Sequence, residues 1–189
     1  MKKRLFFTML RCLEKALLVN LFLFWACSIG YSAIGFDATT RIGAAQQNAG
    51  SSWSHTVGTG LNRIILVGVA GDDYNPPRSV TAVTYGGQAL TRAKRTTDSA
   101  GSTWSEIWYL VQPPSGTNTV SVTLDGTPWA WYAGAISYTG VNQTVPMDAT
   151  PVGTSGLSGT PSATITTVTD GAVVVDGFCY YYYNTLTPN

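Results

Sequence analysis

The chain has 189 residues, 44% hydrophobic, 12% aromatic and only 11% charged, with a formal net charge of +1. That length suits one domain of ordinary size. So few charges leave no basic face for nucleic acid, and no nucleic-acid partner is expected.

The balance is uneven along the chain. Lys2, Lys3, Arg4, Arg11 and Lys15, with Glu14 as the one acid, precede the apolar run Ala16–Ala26. Without them six basic and nine acidic residues remain, a net charge of −3. A basic start, ALLVNLFLFWA and then small residues through Ser28–Ala33 have the layout of a secretory signal peptide over residues 1–33. Cleavage is expected between Ala26 and Ala33, so the chain should be secreted or held at a cell surface. An uncleaved anchor helix is the alternative, since the apolar stretch extends through Ile34 to nearly ~20 residues. Ser28, Gly30, Tyr31 and Ser32 weaken it as a span. Membrane contact is expected only through this leader. Cys27 raises lipid attachment as a minor option, which Trp25 fits badly. Cys12 and Cys27 belong to the leader, so Cys179 stands alone. No internal disulfide and no cysteine-based metal site can form, and Cys179 reads as a small buried hydrophobe.

From residue 34 to 189 the chain reads as one all-β domain. The β-type runs are Thr39–Gln47, Ser51–Val57, Arg63–Ala70, Ser79–Tyr85, Ala89–Thr96, Thr103–Gln112, Thr119–Leu124, Trp129–Tyr138, Ala163–Thr169 and Ala172–Tyr183. Turn residues punctuate them in GTG, DDYNPP, YGG, DSAG, PPSG, LDGTP and TDG, as in an antiparallel two-sheet β-sandwich. Ser51–Gly71, SSWSHTVGTGLNRIILVGVAG, reads as a hairpin turning at GTG. Its first strand places Trp53, His55 and Val57 on one face and Ser52, Ser54 and Thr56 on the other. IILVGV lacks alternation and is expected to be central and covered on both sides. Gly86-Gly87 should form a hairpin turn. TNTVSVTL alternates Val120, Val122 and Leu124 with Thr119, Ser121 and Thr123, which predicts one wet face.

WSHTVGTGLNRIILVGV, VTAVTYGGQALT, EIWYLVQPPSGTNTVSVTL and AGAISYTGVNQTVP, in that order, resemble a recurrent β-sandwich module of secreted and surface bacterial proteins. The resemblance covers about Phe36 to Asn189. It implies a jelly-roll-like sandwich outside the cell and no assigned catalytic residues. It also implies further strands beyond Asn189, so a C-terminally truncated domain with an uncovered apolar face is expected. A subunit that accepts a neighbour's strand, as pilin-type fibres do, is the rival reading.

The candidate sites are sparse. His55 is the only histidine, and no GxSxG elbow accompanies it, so a structural role is preferred. Glu106 is the only glutamate after the leader and shares a face with Trp104 and Trp108 in WSEIWYL. Two rings flanking a carboxylate suit a sugar, with Ile107, Tyr109 and Val111 turned to the core. The plainer reading is a solvent-side acid between edge aromatics. Asp72, Asp73 and Asn75 in GDDYNPP offer oxygen ligands for calcium, although turn chemistry alone accounts for them. The runs WAWYAGAISY and CYYYY should expose some rings, with Trp129 and Trp131 opposite Tyr132 and Tyr138. The expected role is a non-catalytic module for adhesion, carbohydrate binding or scaffolding. Its partner would be a polysaccharide, a cell-surface glycan or neighbouring domains. A polysaccharide hydrolase pairing Glu106 with an aspartate such as Asp98, and a fibre or shell subunit, are the alternatives.

Overall fold

The computed structural model describes residues 33–73, 76–98, 100–155 and 162–179. The chain divides into units 1–31 and 32–189, and the first, with the expected leader, lies outside the described residues.

Every element found among the described residues is a strand. In chain order they are β1 (Gly35–Arg41), β2 (Gly50–Val57), β3 (Ile64–Asp72), β4 (Val80–Tyr85), β5 (Gln88–Ala89), β6 (Thr91–Thr97), β7 (Thr103–Val111), β8 (Gly116–Leu124) and β9 (Ala130–Thr139). One sheet has the order β1-β9-β3-β7-β6 and the other β2-β8-β4-β5, with antiparallel pairing throughout. The expected two-sheet sandwich is what forms.

Alternation builds the core. Ile65, Val67 and Val69 of β3 are buried between the sheets, while Leu66, Gly68 and Ala70 lie half-buried on the outer face. From the second sheet Val57, Val83, Tyr85, Val120 and Val122 meet them. Trp104, Trp108 and Trp131 fill the middle, and Trp131 Nε1 donates to the carbonyl of Asn48 at 2.9 Å. Gly71 makes room for one of these rings: a Cβ there would lie 2.5 Å from Cζ2 of Trp104. Gly86 and Gly87 take φ of +55° and +80° in the tight β4–β5 turn, as expected.

The hairpin expected over Ser51–Gly71 does not form. β2 and β3 lie in different sheets, with β2 paired to β8 and β3 to β7 and β9. GTG therefore belongs to an arch between layers, which sends the apolar β3 to the centre of the larger sheet. The two last β-type runs also differ from expectation. Residues 162–179 carry no strand, and Tyr180–Tyr183 lie outside the described residues. Val174–Asp176 line a groove on the outer face of the five-stranded sheet beside Leu66, Gly68, Ile107 and Ile136. Cys179, half-buried, donates its thiol to the carbonyl of Gly71 at 3.1 Å. β-propensity measures fit to a pleated surface, and a segment crossing a face meets no ladder to join.

Candidate functional site

The bulge in β6 assembles the first cluster of chemistry-bearing groups. Pairing with β7 slips between Arg92 and Lys94, so Arg92 opposes Trp108 and Arg95 opposes Glu106. Residues three apart normally point to opposite faces of a strand. One extra residue turns both guanidinium groups inward.

Glu106 is 1% exposed. Its Oε1 takes the guanidinium of Arg95 and the backbone N–H of Val80 at 3.2 Å. Its Oε2 takes the indole N–H of Trp108 at 3.0 Å and faces Arg92 at 3.5 Å. Arg92 and Arg95 also lie over the rings of Trp108 and Trp104, 5.6 and 5.7 Å from the centroids. Arg95 donates onward to the carbonyl of Arg78 at 2.9 Å. The carboxylate is thus neutralised and saturated by groups from both sheets.

This placement corrects the reading of β7. Trp104, Glu106 and Trp108 face the core, and Ile107 and Tyr109 are the half-buried outer residues. Two indoles bury more apolar area than Ile107 and Val111 together would, and the arginines offset part of the penalty for taking Glu106 in with them. A sugar has no access to rings that are 1% and 8% exposed.

The second cluster surrounds His55, also 1% exposed. Its proton positions follow from the donors. Ser137 Oγ gives its one proton to Asp37 Oδ2 at 2.7 Å, so it accepts from His55 Nε2 at 3.1 Å. His55 Nδ1 is then an acceptor and takes the hydroxyl of Thr40 at 2.8 Å. Thr40 in turn accepts the indole N–H of Trp53 at 3.0 Å. Asp37 Oδ2 closes the chain with the backbone N–H of Gly58 at 2.9 Å. This polarity runs from Trp53 to Asp37 and holds His55 neutral. A nucleophilic serine must hand its proton to the histidine, and Ser137 hands it the other way. The cluster ties β2 of one sheet to β1 and β9 of the other.

Burial pushes the pKa of His55 below its ordinary value, with the Asp37 charge opposing. A base with a depressed folded pKa binds protons more readily unfolded, so its stability contribution is present above pH ~6.5 and lost as pH falls below it. The melting temperature is expected to drop between pH 7 and 5.5, and His55→Gln to flatten that slope. As the only histidine, His55 dominates that window. An unchanged slope in His55→Gln would exclude this role.

The calcium candidates in the acidic loop are only partly described. Asp73 pairs with Arg78 at 3.1 Å, Asn75 lies outside the described residues, and no described cluster of three or more His, Cys, Asp or Glu is placed to hold a metal. Burial raises the pKa of Asp72, helped by Asp73 and Asp98. Asp98 caps the β6–β7 turn, accepting the N–H and hydroxyl of Ser102 at 2.7 and 2.8 Å and the N–H of Thr103 at 3.2 Å. Burial raises its pKa, but these hydrogen bonds outweigh burial and hold it below the usual carboxylate range.

Comparison with protein-family models, curated proteins and solved structures gives no match. The sites therefore have to be read from their own geometry. Sequence reading missed both arginines, whose inward turn depends on a bulge. It also missed Ser137, Asp37 and Thr40, which reach His55 only through the pairing of distant strands.

Proposed function

We propose that the chain is a non-catalytic β-sandwich module of jelly-roll type, exported as part of an extracellular or surface protein, with scaffolding and adhesion as its role. The order β2-β8-β4-β5 and, inside the edge strand β6, the order β1-β9-β3-β7 are those that interlocked Greek keys produce, which supports the jelly-roll assignment. One observation carries the functional reading: the groups a hydrolase would need are spent on structure. Glu106 is saturated between the sheets, Asp98 caps a turn and Ser137 gives its proton to Asp37. Glycoside hydrolysis needs two carboxyl groups lining a cleft open to substrate. The purified chain should release no reducing ends from a panel of neutral and acidic polysaccharides. Release abolished by Asp98→Asn in a folded protein would overturn the reading.

Carbohydrate binding stays as a second reading on a different pair of rings. Trp129, just before β9, and Tyr132, within it, are 59% and 57% exposed. Aromatic faces open to solvent suit stacking on a polysaccharide or cell-surface glycan. Saturable binding on a glycan array, lost in Trp129→Ala and Tyr132→Ala, is the result this reading requires. Equal binding by both variants would sink it.

A further inference from the structure

A sandwich has open strand edges, and native sheets blunt them with charges, bulges, short strands or covering groups. Three of the edges here carry such devices. β1 has a bulge between Phe36 and Ala38 and ends on Arg41. β6 has its own bulge and carries Arg92, Lys94 and Arg95. The second sheet ends on the two-residue β5, and the start of β4 beyond it is capped by Glu106 and Arg95 on Val80 N–H and Arg78 C=O. Among the described residues, the fourth edge, β2, has none of these. It runs eight residues, GSSWSHTV, pairs with β8 without a register shift, and contains no Lys, Arg, Asp, Glu or Pro.

We infer that the free edge of β2 pairs antiparallel with β2 of a second copy, joining two four-stranded sheets into one of eight strands. Self-pairing about a two-fold axis suits this strand on three grounds. Directly opposed residues share a face, so centring the axis on Ser54 sets Ser52 opposite Thr56 of the second copy and keeps hydroxyls with hydroxyls. The same pairing already exists one strand inward, where Thr56 and Thr117 hydroxyls meet at 2.7 Å. A strand without charged residues meets no repulsion from itself, whereas β6 would set Arg92, Lys94 and Arg95 against their own copies. A neutral strand also fits a second copy better than it fits a charged partner. The inference stands whatever the module adheres to, because it concerns an edge and not a ligand face.

Light scattering coupled to size exclusion, over a range of concentrations, tests it on the purified chain. The unaltered protein is expected to run as a dimer. Ser54 is exposed, so Ser54→Lys and Ser54→Glu should each fold and run as monomers, with like charges opposed at the axis. Mixing the two in equal amounts should restore the dimer, which a folding defect would not do. Thr119→Lys, on the same outer face but opposite Ser54 on the covered strand β8, should remain dimeric. A native monomer at every concentration, a dimeric Ser54→Lys, a mixture that stays monomeric or a monomeric Thr119→Lys would each overturn edge pairing. The last would point to contact through the sheet face instead.

Discussion

Glu106→Ala is expected to cost about 3–5 kcal/mol, the range for breaking a buried ion pair from one side, out of a total stability of about 5–15 kcal/mol. The penalty arises from what is left behind. Arg95, Arg92, the indole N–H of Trp108 and the backbone N–H of Val80 all lose their acceptor at once. Arg92 can turn to solvent, since its side chain is 45% exposed, but Arg95 at 20% is held over Trp104. Glu106→Gln should be milder, about 1–3 kcal/mol. Its amide oxygen still serves Arg95 and Val80, while its NH₂ faces the donors Trp108 and Arg92. Replacing Glu106 and Arg95 together by Leu and Met should recover only part of the loss, because Val80 N–H and Arg78 C=O also depend on them. Urea melts of the three variants decide this. A Glu106→Ala protein within 1 kcal/mol of the unaltered chain would show that the cluster is solvated and contributes little.

Ser137→Val should have the next largest effect, about 1–3 kcal/mol for the donor it orphans. Ser137 is fully buried and sits between His55 and Asp37, so its loss leaves the Nε2 proton of His55 without an acceptor. Asp37 suffers less, being half-buried and still bonded to Gly58. His55→Phe removes the orphan, so the double variant should be less destabilised than the sum of its parts. Coupling of about 0.5–3 kcal/mol is typical of residues in one network. Additive losses would mean that the hydrogen bonds do not act as a chain.

Both clusters join the sheets, and they differ in how much of them a sequence can reveal. That His55 shares a face with Trp53 and Val57 follows from strand alternation alone, and the structure keeps that grouping and turns the face inward. Its partners do not follow. Thr40 is fifteen residues away and Ser137 eighty-two, and only the pairing of β1 with β9 sets them around the ring. For β7 alternation gave the right grouping, Trp104, Glu106 and Trp108 on one face, and the wrong side. Period-two patterns separate two faces without naming the inner one. An acid among tryptophans argues for solvent until two arginines are seen to neutralise it.

The amino-acid sequence by itself determined that the described part of the chain is all-β, where eight of its strands run approximately, and that the wet faces of β2 and β8 are built of Ser and Thr. These are local properties, set by β-branched residues, turn glycines and period-two alternation. The tertiary structure decided which strands are neighbours, that GTG bridges two sheets, that Glu106 is buried and that β2 is an uncharged edge among the described strands. Each of these depends on pairing between residues far apart in the chain, and no local pattern carries that information.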